Sequence, residues 1–130
     1  MVIRMTENSV TERNKELVLR GFTEFAAGNI EILRTLIRED FFEHSPGNPS
    51  GRDAFIEFIA DSPVAESRLD LKRVIAEDDH VVLHYHMIPP GNERGLAVVD
   101  VWRLVDGQIV EHWDVVQPVP EPEEIPNGML

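Results

Sequence analysis

The sequence predicts an α+β fold in which N-terminal helices pack against a curved antiparallel sheet. Apolar residues of the first half recur at helical spacing, whereas the second half alternates apolar and polar residues with the period of two that strands require. Short turns separate the alternating segments, which favours sequential antiparallel pairing. Helices followed by strands are typical of a layered α+β domain with a cavity between the layers, where ligands commonly bind.

Helices are predicted in the first 60 residues. The first helix is expected to begin at a capping box formed by Ser9 and Glu12. Gly28 is suited to end it, because glycine adopts the left-handed backbone conformation at little cost. A short second helix that includes Ile37 is expected to follow, and Ser50 begins a third helix. The segment "DFFEHS", residues 40–45, is too short for a helix of its own.

Four later segments have the composition and alternation of strands: residues 68–77, 80–88, 96–104 and 108–116. A slip in the alternation near Lys72 predicts a bulge in the first of them. The dipeptide Asp106-Gly107 is a strong signal for a hairpin. After Pro118 the chain is rich in proline and glutamate and is expected to be extended. We therefore predict one domain with a core at residues 9–118 and a tail at 119–130.

Composition excludes several classes of function. The 130 residues carry a net charge of −12, from 24 acidic and 12 basic side chains, so a nucleic acid would be repelled. There is no apolar run long enough to span a membrane. The first nine residues lack the features of a signal peptide, so we expect a cytoplasmic protein. With no cysteine, the chain has no disulfide, thiolate ligand or cysteine nucleophile.

Several ionisable residues fall on the three predicted strands from residue 80 to residue 116. Alternation allows them to lie on one side of the sheet among apolar neighbours: His84, His86, Asp100, His112 and Asp114. Burying five such groups is costly, and functional sites are one reason to do so. The alternatives are a satisfied His–Asp hydrogen-bond network or a solvent-facing side of the sheet.

Three stretches of the chain make it resemble a known family: "FFEHSPGNPSGRDAFIEFI", "AEDDHVVLHYH" and "VVDVWRLVDGQIVEHWDVVQP". They look like the SnoaL-like polyketide-cyclase family, which belongs to the nuclear-transport-factor-2-like superfamily of cone-shaped α+β folds. The resemblance covers residues 17–118. It implies the fold more specifically than the activity, because the superfamily includes isomerases, cyclases, dehydratases, epoxide hydrolases and non-enzymatic binders.

The resemblance also implies roles for individual residues. Asp100 matches the position where cyclase and isomerase relatives place a functional aspartate, which acts as an acid/base or as an oxyanion donor. His86 matches a partnering histidine, and His44 falls near the general base of the isomerase relatives. Ser45 replaces an asparagine of close relatives. His112 and Asp114 line the cone in the family, and the strand faces add His84 and Trp102 to the side chains expected to line the substrate pocket.

The first hypothesis is a cofactor-independent enzyme that forms an enolate from a small carbonyl compound, followed by aldol-type cyclisation or isomerisation. Such chemistry needs a base and a hydrogen-bond donor for the developing oxyanion. His44 or His86 is suited to be the base, with a protonated Asp100 as the donor. In the reverse assignment, Asp100 is the base and His86 orients it.

Two other hypotheses remain open. His84, His86, His112 and Asp114 offer three imidazoles and a carboxylate, a set suited to zinc or non-haem iron, although no metal is the favoured expectation. The third hypothesis is a non-catalytic ligand-binding or dimerisation module. A homodimer is expected and is compatible with the enzyme hypothesis as well. Its interface is expected on the outer face of the sheet, through Tyr85, Val99, Val101, Ile109 and Trp113.

Overall fold

Three helices lie on one face of a five-stranded sheet. In this computed structural model the described residues are 7–130, with side chains from Ser9 onward. The helices are α1 (Glu7–Ala26), α2 (Ile32–Leu36) and α3 (Arg52–Ala60). The strands are β1 (Ile37–Glu43), β2 (Arg68–Glu77), β3 (His80–Ile88), β4 (Leu96–Val105) and β5 (Gln108–Pro118). The prediction that no leader is present concerns residues 1–9, of which 1–6 lie outside the described residues.

The predicted α+β class with a curved sheet is confirmed, and one strand is added to it. The strand order is β1-β5-β4-β3-β2, and β2 to β5 pair antiparallel as expected. The added strand β1 pairs parallel with β5 at the edge of the sheet. Ile37 was expected in the second helix, and no strand was expected in residues 40–45, whereas β1 includes Ile37 and extends to Glu43. Tertiary pairing with β5 and the burial of Ile37 and Phe41 override those local signals.

The two ends of α1 differ in their agreement with the local signals of the sequence. The backbone N–H of Gly28 donates to Phe25 at 2.9 Å, and that of Asn29 donates to Glu24 at 2.9 Å. With φ of 97° at Gly28, these two bonds form a Schellman motif, so the predicted stop is confirmed. The predicted capping box is wrong, because Ser9 lies inside α1.

Two irregularities determine which side chains face the helices. The register between β2 and β3 shifts between Leu71 and Arg73, as the phase slip predicts. A second shift, between β4 and β5, was not predicted. It pairs Leu104 with Ile109 although Arg103 pairs with Glu111, so Val110 has no partner opposite. This bulge reverses the alternation of β5 and turns Ile109 to the same face as Leu104.

The hydrophobic core lies between the helices and the face of the sheet turned toward them, called the inner face here. Strand β3 contributes four buried residues to it: Val81, Leu83, Tyr85 and Met87. Phe22 of α1 meets Tyr85 edge-on, with ring centroids 5.0 Å apart. Each large apolar side chain buried in this way contributes roughly 1.5–3 kcal/mol relative to exposure. The opposite side of the sheet is called the outer face.

The tail after β5 is tied to the loop between β3 and β4. The backbone N–H of Val119 donates to the carbonyl of Gly95 at 3.0 Å, and Arg94 forms an ion pair with Glu121. The tail is not extended throughout, because Pro122–Glu124 form a short 3-10 helix. Between residues 7 and 130, no helix combines the length and apolar character needed to cross a membrane.

Candidate functional site

A cavity of about 260 Å³ lies between the helices and the inner face of the sheet. Its volume is just below the range of roughly 300–1,000 Å³ that is typical of small-molecule sites. Most of the wall is apolar and includes Val18, Phe22, Phe55, Ile59, Leu83 and Val98. The polar side chains of the lining are Ser45, Asn48, Ser62, Tyr85, Asp100, Trp102, His112 and Asp114. A small number of polar groups in an apolar cavity is the usual composition of a binding site.

A buried chain of hydrogen bonds leads from β1 to the cavity. His112 Nδ1 lies 2.8 Å from Glu43 Oε1, and His112 Nε2 lies 2.9 Å from Asp100 Oδ1. The side chain of Glu43 is 0% exposed, and those of His112 and Asp100 are 4% and 8% exposed. Both imidazole nitrogens therefore contact a carboxylate whose side chain is largely buried.

The β1–α3 loop completes the hydrogen bonding of Glu43. The backbone N–H of Ser45 donates to Glu43 Oε1 at 3.0 Å, and Asn48 Nδ2 donates to Oε2 at 3.3 Å. Together with His112, these donors satisfy both carboxylate oxygens. A buried carboxylate needs such partners, because an unpaired one would cost several kcal/mol.

The network holds His112 in its charged form. Burial alone would lower the pKa of His112, but hydrogen bonds to Asp100 and Glu43 and the charges of both carboxylates raise it to about 9. Burial alone would raise the pKa of Glu43, whereas its bonds from His112, Ser45 and Asn48 leave that pKa below the usual value. At neutral pH an imidazolium therefore lies between two carboxylates.

A second carboxylate faces the cavity next to Asp100. Asp114 pairs with Asp100 in the register of β5 and β4, so both side chains lie on the inner face. Burial raises the pKa of Asp114, and the charges of Asp100 and Glu43 raise it further, against the effects of Ser45 and His112. Asp114 thus holds a proton more readily than an ordinary aspartate does.

Two aromatic residues complete the polar region. Burial raises the pKa of Tyr85 well above 10, and the neighbouring Asp100 carboxylate adds to this effect, so the phenol stays neutral. Trp102 stacks on His112 with ring centroids 3.9 Å apart. Its buried indole nitrogen has no hydrogen-bond partner among the described residues. Both rings lie where a bound molecule would contact them.

The structure separates the histidines of β3 from this region. His84 pairs with Val99 and His86 with Ala97, which places both imidazoles on the outer face, whereas Asp100 pairs with Leu83. The prediction that they share a face with Asp100 is therefore wrong. Alternation gives each strand two faces, but only the register with the neighbouring strand decides which faces coincide.

The outer-face histidines have partners of their own there. Arg73 Nη1 lies 2.6 Å from His84 Nδ1. The Nε2 atom of His86 lies 2.6 Å from the carbonyl oxygen of Arg94, in the β3–β4 loop. Both imidazoles therefore have hydrogen-bonding partners outside the cavity.

His44 also lies outside the cavity. Its ring stacks on Trp113 with centroids 4.8 Å apart and planes at 1°, and its Nε2 lies 2.7 Å from Glu111 Oε2. Trp113 pairs with Val101 on the outer face. Four of the five histidines of the chain are thus absent from the cavity lining, and His112 alone contributes to it among residues 7–130.

The predicted outer-face set is also divided. Val99, Val101 and Trp113 lie on the outer face as expected. Tyr85 and Ile109 line the cavity instead. Tyr85 follows the apolar alternation of β3, and the bulge at Val110 turns Ile109 inward.

The predicted metal ligands do not come together, because His84 and His86 face away from His112 and Asp114. A smaller group remains, in which ligand atoms of Asp100, His112 and Asp114 lie within 4.8 Å of one another. Both nitrogens of His112 are occupied by carboxylates, and an imidazolium has no lone pair for a metal. The trio therefore fits a proton network better than a metal ion.

Sequence reasoning placed Asp100, Trp102, His112 and Asp114 at the cavity and missed Glu43. The pairing of Glu43 with His112 spans 69 residues and depends on an edge strand that no local pattern indicated. Tyr85 could have been found, because its face of β3 consists entirely of large apolar or aromatic residues, whereas the other face carries three histidines.

Comparisons with known proteins place this geometry in a family. A SnoaL-like domain matches residues 18–112. No curated protein matches the sequence significantly.

Among solved structures, an NTF2-like protein of unknown function from Burkholderia xenovorans LB400 has a TM-score of 0.77 at 16% identity, covering 92% of this chain and 97% of that one. A candidate ketosteroid isomerase from Kribbella flavida DSM 17836 has a TM-score of 0.73 at 20% identity, covering 88% of each chain. A candidate SnoaL-like polyketide cyclase from Jannaschia sp. CCS1 has a TM-score of 0.70 at 22% identity, covering 82% of this chain and 87% of that one. These structures support the fold, and the domain match covers more than half of the sequence. The chain therefore belongs to the SnoaL-like domain family.

Proposed function

We propose that this protein is a general acid/base enzyme that removes a proton next to the carbonyl group of a small, largely apolar compound. The resulting enolate then isomerises or closes a ring by an aldol-type step. One observation carries the proposal: the buried Glu43–His112–Asp100 chain presents a fixed carboxylate to an apolar cavity. Names of two similar structures, a candidate ketosteroid isomerase and a candidate polyketide cyclase, refer to chemistry of this kind.

Asp100 is the proposed base. Its Oδ1 is held by His112, which fixes the orientation of the carboxylate, and the side chain lines the cavity. Glu43 and His112 are positioning residues, because they act through Asp100 and hold the ionic state of the network. This assignment keeps Asp100 from the sequence hypothesis and replaces His86 with His112.

Tyr85 is the proposed donor to the enolate oxygen. Burial and the neighbouring Asp100 raise the pKa of its phenol well above 10, so the phenol stays neutral and can donate a hydrogen bond as charge develops. Asp114 lies opposite Asp100 and lines the same cavity, without a role in the proposed proton transfer.

Deuterium uptake at α-carbons tests the proposal. A panel of β-keto esters, cyclic ketones and diketones is incubated in heavy water with the protein and a chelator, and uptake is followed by NMR. We expect uptake with the wild type and a loss of about 100-fold or more with Asp100→Asn. Asp70→Asn is a matched control, because Asp70 is an exposed aspartate that pairs with Lys72 on β2. Persistence of uptake with the chelator would agree with the proposed absence of a metal cofactor.

The main alternative is a non-catalytic module that binds a small ligand in the same cavity. In that case compounds of the panel would bind, as seen by broadening of their NMR lines, without any protein-dependent uptake. Unchanged uptake in Asp100→Asn would also refute the proposed role of this carboxylate. A cytoplasmic location remains part of the proposal, and fractionation of the producing cells tests it.

A further inference from the structure

The cavity and the residues directly behind it carry more negative than positive charge. Asp100 and Asp114 line it directly, and Glu43 lies behind His112. His112 is the single basic side chain of the lining among residues 7–130, and it is already shared between Glu43 and Asp100. No lysine or arginine of the described part of the chain lines the cavity.

We propose that this charge arrangement excludes anionic ligands and selects uncharged or cationic ones, with Asp114 as the specificity-determining residue. The inference rests on the proposed function, because it concerns the class of carbonyl compound that the same cavity takes. The substrate is then a ketone, an ester or an amine-bearing carbonyl compound. The site excludes compounds that carry a negative charge, such as free carboxylic acids, phosphate esters and thioesters of phosphate-bearing carriers.

The geometry provides the reason. Asp114 is only partly buried and lies opposite Asp100, so any ligand group that reaches Asp100 also approaches Asp114. An anionic group there would meet two carboxylates among apolar walls, where water screens charge poorly. A cationic or neutral group avoids this repulsion.

Burial is the main reason why the pKa of Asp114 is raised, and the charges of Asp100 and Glu43 act in the same direction. Ser45 and the charge of His112 act in the opposite direction without cancelling the increase. The net charge of −12 adds a weaker repulsion, which salt screens.

Three probes with the same two-ring body test the inference: 2-acetylnaphthalene, 2-naphthoate and 1-(2-naphthyl)ethylammonium. Their dissociation constants are measured by calorimetry at pH 8 with the wild type, Asp114→Asn and Asp70→Asn. In the wild type we expect naphthoate to bind on the order of 100-fold more weakly than the ketone, and the ammonium probe at least as well as the ketone. In Asp114→Asn the ratio of the naphthoate and ketone dissociation constants should fall about tenfold or more. The affinity of this variant for the ketone should change by less than about threefold.

Asp70→Asn removes one negative charge from the outer face of the sheet, so it should leave the ratio of the naphthoate and ketone dissociation constants unchanged. Circular dichroism shows whether each variant is folded. Equal affinity of the wild type for naphthoate and the ketone would overturn the inference, and so would a failure of all three probes to bind. An equal decrease of this ratio in Asp114→Asn and Asp70→Asn would overturn the role of Asp114.

Binding and catalysis are read separately. Charge discrimination without deuterium uptake would refute the proposed enzyme activity and leave the selectivity established. Deuterium uptake without discrimination between the charged and neutral probes would support the enzyme activity and refute the proposed charge selectivity.

Discussion

Stability should fall by about 3 kcal/mol when the pH is raised from 6 to 9, because this change removes the proton from His112. The pKa of this group is about 9 in the folded protein, against 6.5 for an ordinary histidine. A pKa raised by folding stabilises the folded state fully below the unfolded value, and this stabilisation is lost as the pH rises through the folded value. Each unit of difference is worth about 1.4 kcal/mol, which gives about 3 kcal/mol for His112.

Urea unfolding at pH 6, 7, 8 and 9, followed by circular dichroism, measures this loss. NMR titration of the imidazole resonances measures the proton itself, and His112 should stay charged until the pH approaches 9. Glu43→Gln removes one of the two carboxylates that raise the pKa, so the titration of His112 should move to lower pH in this variant. A titration of His112 near 6.5 in the wild type, or a stability that is constant from pH 6 to 9, would refute the imidazolium network.

Three further outcomes are expected. Gly95→Ala should destabilise the protein by about 2 kcal/mol or more, because φ is 68° and an added Cβ would lie 2.3 Å from the carbonyl oxygen of Met87. Gly91→Ala, with φ of 79° and nothing within 4 Å, should cost only about 1 kcal/mol, and equal losses in urea unfolding would contradict this reasoning. His86→Ala should keep deuterium uptake within about threefold of the wild type, because His86 lies on the outer face; a loss as large as that of Asp100→Asn would restore the sequence hypothesis. The protein should be a homodimer through Val99, Val101 and Trp113 on the outer face, so light scattering should give twice the chain mass. Val101→Asp should give a monomer. A monomeric wild type at micromolar concentration would argue against this interface.

Most of the secondary structure could be predicted because its signals are local. The bounds of β2 and β3 agree with the sequence prediction, and β4 and β5 extend it by one and two residues. Gly28 marks the end of α1 through its own backbone preference. Strand β1 could not be recognised in this way, because its stability comes from pairing with β5 and from burial of Phe41.

The site was predicted only in part because strand register is not a local property. Asp100 and Asp114 lie on the inner face, as alternation allowed. His84 and His86 lie on the outer face, because a shift of one residue between neighbouring strands exchanges the two sides. The apolar face of β3 that carries Tyr85 indicated which side of this strand is buried. Burying large apolar side chains in a core costs less free energy than burying histidines.

The position of Glu43 shows that the fold and the candidate site depend on each other. Ile37 and Phe41 are buried, and they hold β1 against the rest of the core. The parallel register with β5 then places Glu43 opposite His112, where the backbone N–H of His44 also donates to the carbonyl of His112 at 3.0 Å. Without β1, His112 would lose one of the two carboxylates that keep it charged, and Asp100 would be held by a weaker partner. An edge strand with little local signal in the sequence therefore sets the electrostatics of the cavity, and loosening β1 should lower the pKa of His112 even where Asp100, Asp114 and the cavity walls are unchanged.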